Sequence, residues 1–417
     1  MCGLVDGASE SSTGPALLRA TRILFLVALV AGFAQFGAVA SLNDVAKHFG
    51  HHSTGTSLQS QVGLSGSTLG LALAILRLSS LGALPLSSLA DHWGRTRVLR
   101  RTLFVGLIAT ASAALSPSYW FFVLCFALAR PLLSAASTLV QVVTVELSST
   151  QRRIHRLAIM AAGAGLGAGL SAVLHGVIRG PDSFRWLFAL ALLPVVVAPL
   201  LRQIPEPTHA IPASAMAHLG RVPSESRGRL GIVAVIVFGA GMITGPANGF
   251  AFVYGEGILK MSPHYVATIV ALSAFTGLGG LLLSRRLSRA IGRRWTVALG
   301  VAATGLTATY AYSGGRLNFT VGYMIGVGAA GLLAPAASAM STEIFSHSIR
   351  ATAAGWVVVA GVLGATAGLF LFGWVGDVVR ASSATSLRVP ALVTFLPLLP
   401  TLMLLTRLPE SSTMELH

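Results

Sequence analysis

The sequence predicts an all-α polytopic membrane protein of about twelve transmembrane helices in two six-helix pseudo-symmetric bundles. Three observations predict it: a composition too apolar for water, a series of apolar runs of membrane length, and an internal repeat relating the two halves.

Of 417 residues, 54% are hydrophobic and only 10% are charged, with a mean hydropathy of +0.76. Soluble proteins carry about 25% charged residues, so a water-exposed surface of this size could not be covered and lipid must be its main solvent. One crossing takes about 20 apolar residues, and the length leaves room for about twelve. The net charge of +16 would suit a nucleic-acid partner by amount but not by distribution. The arginines sit in short clusters between apolar runs, so no nucleic-acid partner is expected and the charge is read as topology. Cys2 and Cys125 lie in a polar tail and an apolar run, and make neither a disulfide framework nor a metal site.

The apolar runs fall at about 22–42, 62–87, 102–116, 119–145, 157–178, 185–201, 231–254, 264–284, 295–313, 318–340, 351–374 and 389–406. Backbone polar groups in lipid must be satisfied within the segment, so the runs are helices. The first is too long for a signal peptide and is read as a retained helix. Glycines cluster inside the runs, as at Gly163, Gly165, Gly167 and Gly169, where they allow close approach of helices. With the N-terminus placed in the cytoplasm, 20 of the 29 Lys and Arg residues fall in cytoplasmic segments and seven outside. That bias predicts both termini inside and an even number of spans. The polar stretch 202–230 splits the chain. The expected organisation is a cytoplasmic tail over 1–21, bundles over 22–201 and 231–406, the linker between them, and a tail over 407–417.

The halves echo one another at three places. Leu89 to Arg95 resembles Leu287 to Arg293, sharing the Gly-Arg of Gly94-Arg95 and Gly292-Arg293. Glu146 with Arg153 matches Glu343 with Arg350. Ile204-Pro205-Glu206 matches Leu408-Pro409-Glu410. All fall at expected cytoplasmic ends. Repeat-built membrane proteins of this kind place their binding site between the halves, near the bilayer midplane.

These motifs resemble the major facilitator superfamily over essentially the whole chain. The family loop between helices 2 and 3 reads roughly Gly-x-x-x-Asp-Arg-x-Gly-Arg-Lys/Arg. Asp91, Gly94 and Arg95 match it, whereas Ser87, His92 and Thr96 depart from it. The Glu-Arg pairs and Pro-Glu ends look closest to sugar porters and metabolite symporters. The resemblance implies a secondary transporter, symporter or antiporter, working by alternating access. It also implies a cytoplasmic gate at Asp91, Gly94, Arg95, Glu146, Arg153, Gly292, Arg293, Glu343 and Arg350. A monomer is expected, without cofactor or metal, in a cell membrane of the bacterial inner-membrane type.

Ionisable groups within spans are functional candidates. Arg130 sits near the middle of the fourth run, where the family carries an arginine used in binding or coupling. Arg77 lies 14 residues before Asp91, about 21 Å along a helix. Gln35, Gln141 and Asn248 are polar positions in spans, and Gly245-Pro246 is expected to interrupt the seventh helix. The first run holds no acid of the kind sugar porters carry. Asp44 and Glu256 are read as outer-end residues, and His175 as a titratable side chain near the outer end of the fifth helix. Buried arginines without buried carboxylates favour an organic anion as the small-molecule substrate, driven by protons or a counter-substrate. The alternatives are a drug or metabolite exporter, with Phe33, Phe36, Phe250 and Phe252 near its cavity, and a non-transporting receptor. No nucleophile–base pair is apparent and no enzyme is expected. No Gly-Lys-Ser/Thr loop is present to bind ATP.

Overall fold

Lipid removes every partner for a free peptide group, and the chain answers with helices. The computed structural model describes residues 14–51, 58–148, 152–178, 180, 182–204, 206, 223–345, 350–379, 387–396 and 398–406. Twelve segments of membrane length follow in order: α1 (Gly14–Ala40), α2 (Gly66–Trp93), α3 (Arg95–Leu115), α4 (Tyr119–Glu146), α5 (Arg153–Val177), α6 (Ser183–Gln203), α7 (Ser224–Gly249), α8 (Pro263–Ala290), α9 (Arg293–Ala311), α10 (Arg316–Glu343), α11 (Arg350–Val378) and α12 (Arg388–Leu405). Eleven are apolar enough to cross a membrane by length and composition. The exception is α9, which carries Thr296, Thr304, Thr307 and Thr309. Each of their hydroxyls donates to a carbonyl one turn back, so the helix itself satisfies them. Large apolar side chains such as Leu115, Phe275, Leu317 and Met403 point outward, where a bilayer rather than water suits them.

Several boundaries differ from the sequence expectation. α3 begins at Arg95, so Arg97, Arg100 and Arg101 ride on its first turns instead of lying in a loop. α7 begins at Ser224, within the stretch read as linker. It runs unbroken through Gly245-Pro246 and ends at Gly249, and a wide π turn at Val253–Ile258 follows. α6 changes from α to 3-10 geometry over Leu190–Gln203, which contains Pro194 and Pro199. Of the α5 glycines, Gly163 and Gly167 face the α1 backbone at Phe25 and Leu29, whereas Gly165 and Gly169 meet open space.

The repeat reappears in the backbone. Gly94 between α2 and α3 has φ +92°, and Gly292 between α8 and α9 has φ +87°. Only glycine adopts such angles cheaply. Gly94→Ala is expected to cost about 1–2 kcal/mol and to lower the melting temperature, and Gly292→Ala to do likewise. Equal melting points for the two variants and the parent protein would contradict this.

α2 fixes the sense of the molecule. Its Gly66 end and its Trp93 end lie on opposite faces. One face carries Asp91, Arg95 and the start of α9, and is called here the arginine face. The opposite face carries Gly66, Asp44, Pro263 and the end of α11.

Candidate functional site

Between the two groups of six helices lies a cavity of about 400 Å³, within the range of small-molecule sites. α1, α2, α4 and α5 line one side, and α7 and α11 the other. Its polar lining is Gln35, Arg77, Arg130, Thr244 and Asn248, with Phe36 and Phe126 on its apolar wall, and among the described residues no carboxylate lines it. Four of the five polar residues singled out from the sequence meet here. The fifth, Gln141, stands three turns along α4 from Arg130, exposed and outside the lining. Of the aromatic residues expected nearby, only Phe36 lines the cavity, and Phe33, Phe250 and Phe252 are buried in the core.

Arg130 is held from α1. Arg130 Nη1 donates to the Gln35 carbonyl at 3.1 Å. The Gln35 side chain is itself pinned to α4. Its Nε2 donates to Ser137 Oγ at 3.0 Å and to the Leu133 carbonyl at 3.4 Å, and its Oε1 accepts from Ser134 Oγ at 3.4 Å. Ser134 thus helps orient Gln35. The Nε atoms of both Arg77 and Arg130 are buried without a hydrogen-bond partner. Two such donors in one cavity, with no acid beside them, form a site of positive potential that an anion would satisfy. Asn248 Nδ2 donates to the Thr244 carbonyl at 2.9 Å.

At the arginine face, Arg95 Nη2 donates to Asp91 Oδ1 at 3.0 Å, and its Nη1 pairs with Glu146. All three side chains are buried, so the cluster ties the α2–α3 turn to the end of α4. Glu146 takes Arg95 as its partner rather than Arg153, whose Nε is buried without a hydrogen bond. Glu206 accepts from the Thr96 backbone and hydroxyl, capping α3 at its positive end. Arg293 opens α9, next to Gly292. Glu343 and Arg350 lie in α10 and α11, but their side chains are outside the described residues, as are Pro205, Pro409 and Glu410. Glu146→Gln removes one of the two buried countercharges of Arg95, the other being Asp91, and is expected to cost about 1.5–3 kcal/mol, read as a lower melting temperature of the purified protein. An unchanged midpoint would show that Arg95 is satisfied without it.

The opposite face is closed by bonds between the two groups of helices. Asp377 of α11 accepts from the Gly66 and Ser67 backbone N–H groups, both at 2.7 Å, and from Ser67 Oγ at 2.6 Å. A carboxylate here complements the positive end of α2. Lys260 Nζ donates to the Gln61 carbonyl at 3.4 Å. Glu256, read from sequence as an outer-end residue, lies on this face but is buried, and accepts from Asn43 Nδ2 at 3.0 Å and meets His175 Nε2 at 2.9 Å. A buried carboxylate is therefore present after all, but it is committed to a histidine away from the arginine cavity. Asp44, His175 and Glu256 bring their polar atoms within 4.8 Å of one another. The imidazole sits between the acids, with Nε2 toward Glu256 and Nδ1 toward Asp44.

A sequence model of the Major Facilitator Superfamily matches residues 24–262. No curated protein matches the chain by sequence. Solved structures share its fold at low identity. A bacterial homologue of the human lysosomal transporter Spinster, inward-facing and occupied, is 14% identical over 97% of this chain and 98% of its own, with a TM-score of 0.71. The nucleoside transporter NupG is 13% identical over 96% and 100%, with a TM-score of 0.71. The human organic anion transporter MFSD10 (TETRAN) is 16% identical over 93% and 99%, with a TM-score of 0.64. With more than half of its length matched by the family's sequence pattern, and twelve helices enclosing a cavity between two groups of six, the chain is a transporter of the Major Facilitator Superfamily.

Proposed function

We propose that this transporter moves a small organic anion, and that Arg77 and Arg130 bind it. The observation that carries this reading is the pair of buried arginine Nε atoms without partners in a cavity that no acid among the described residues lines. An Arg fork matches carboxylate or phosphate in two parallel hydrogen bonds. Burying an anion beside two desolvated guanidinium groups relieves their mutual repulsion, which a neutral sugar or a cationic drug would not do. The exporter reading loses support because three of its four aromatic residues are packed in the core.

The arginine face is proposed to be cytoplasmic, with both termini on that side of a cell membrane. The cross-group bonds at the Gly66 face then make this the inward-open arrangement, and transport proceeds by alternating closure of the two faces. The Asp91–Arg95–Glu146 cluster supports the arginine face by holding α2, α3 and α4 as one body.

Thermal unfolding of the purified protein with mono- and dicarboxylates, phosphorylated compounds, sugars and cationic drugs tests the substrate class. A ligand that binds only the folded state raises the melting temperature by mass action. A rise of about 4 °C or more is expected with an anion present at about 100 times its Kd. A rise confined to cationic or neutral compounds would overturn the reading.

A further inference from the structure

The trio of Asp44, His175 and Glu256 plays no part in the arginine cavity, yet it joins the two groups of helices in the core of the closed face. His175 is on α5, Asp44 on the short helix Leu42–Phe49, and Glu256 on the π turn after α7. His175 Nε2 lies 2.9 Å from Glu256 Oε1, and Nδ1 lies 3.5 Å from Asp44 Oδ2. Both His175 and Glu256 are almost fully buried, at 2% and 3% exposed.

Proton counting follows from that geometry. A neutral imidazole has one N–H and one lone pair. With a carboxylate at each nitrogen, the lone pair would face an oxygen lone pair in a buried site, unless one more proton joins the three groups. It can sit on the second ring nitrogen or on either acid, and the trio then has a donor at each contact. Separating α7 from α5 removes Glu256 and with it the reason to hold that proton. We propose that Asp44, His175 and Glu256 form a proton-binding site, filled when this face closes and emptied when it opens.

The surroundings fit that role. A cavity of about 520 Å³ at the closed face is lined by Asp44, His175, Ser183 and His264, and so reaches two of the three groups. Asn43 Nδ2 holds the second oxygen of Glu256, and Ser183 Oγ donates to Asp44 Oδ2 at 2.7 Å, so both acids are fixed in orientation. The Phe252 ring meets the imidazole edge-on and shields it. Other charged or titratable groups lie on the elements packed around the trio. They are Lys47 and His48 on the Asp44 helix, Asp182 and Arg185 at the start of α6, Lys260 after the π turn, and His264 at the start of α8. Asp182 is engaged with Arg185 at 3.0 Å and with His48 at 3.6 Å. Lys47 opposes the extra proton, whereas both acids favour it.

The sign follows by linkage. If the closed face binds one proton more than the open face, closure is favoured at low pH and lost as pH rises, by up to about tenfold in the closed-to-open ratio per pH unit. Spin labels at Leu115→Cys and Leu317→Cys, both exposed at this face on different groups of helices, report the separation. Cys2→Ser and Cys125→Ala remove the native thiols. In lipid nanodiscs without any solute, the long-distance population should grow between about pH 5.5 and about pH 9, the range spanning histidine titration. His175→Gln and Glu256→Gln should each flatten that response to within about twofold, whereas His48→Gln, Asp182→Asn and His264→Gln should keep it. A pH-independent distance in the protein with native His175 and Glu256 would overturn the proposal, even if neither variant folds. So would a response lost in His264→Gln or His48→Gln but kept in His175→Gln. No transported solute enters this experiment, so its outcome is separate from the anion reading.

Discussion

Arg130→Gln is expected to weaken anion binding by about 10- to 100-fold while leaving the fold intact. The substitution removes a charge-assisted pair worth about 1.5–3 kcal/mol. It leaves a side chain able to donate to the Gln35 carbonyl, which Arg130 now holds at 3.1 Å. It also removes a buried charge for which no carboxylate partner is seen among the described residues. The melting temperature without ligand should therefore hold or rise, and the rise on adding anion should shrink. Arg130→Lys keeps the charge but loses the planar fork, and should fall between the two. Arg77→Gln should act in the same direction, because Arg77 lines the same cavity with its Nε also unpartnered. Gln141→Ala stands outside the lining and should change uptake by less than about twofold. Binding unaffected in both arginine variants would rule out an arginine cradle.

What the sequence disclosed, and what it hid, divides by range. The spans were legible because lipid demands a local property, a run of apolar residues of fixed length. Gly94 and Gly292 were legible because a short motif repeated in both halves marks a turn. Arg77, Arg130, Gln35 and Asn248 stood out as polar side chains in apolar runs, where the cost of desolvation leaves few reasons for them. Gln141 stood out equally and lies elsewhere, since polarity within a run does not say which way a side chain faces. The burial of Glu256 was not legible, because α7 ends before it, at Gly249. The π turn at Val253–Ile258 instead keeps the chain inside and presents its carboxylate to Asn43 and His175, 213 and 81 residues away. Asp377 was not singled out from the sequence at all. An acid at the end of an apolar run reads as interfacial charge, and its role as a cap on α2, 311 residues earlier, exists only once the two groups of helices meet.

That meeting of α2 and α11 supports a second large effect. Gly373 lies against Gly66 and Gly70 where α11 crosses α2. A Cβ at Gly373 would fall 3.1 Å from the Gly70 Cα and nearer still to the Gly66 carbonyl. The obstacle is backbone on both sides, so no rotamer change relieves it, and Gly373→Leu should oppose closure of this face by about 1–3 kcal/mol or more. Each helix group can keep its own packing, because the crossing joins one group to the other. The penalty then falls on the closed face alone and shifts the population toward the open one by about 5- to 150-fold. Transport should drop accordingly, and the distance between labels at Leu115 and Leu317 should stay long. Gly165→Leu, at a glycine with nothing within 4 Å of its Cβ position, should transport normally. Gly373→Ala should show a smaller defect of the same sign. If Gly373→Leu transports as well as the parent protein, α2 and α11 do not part and rejoin at this crossing, and the working motion must be sought at another contact between the groups.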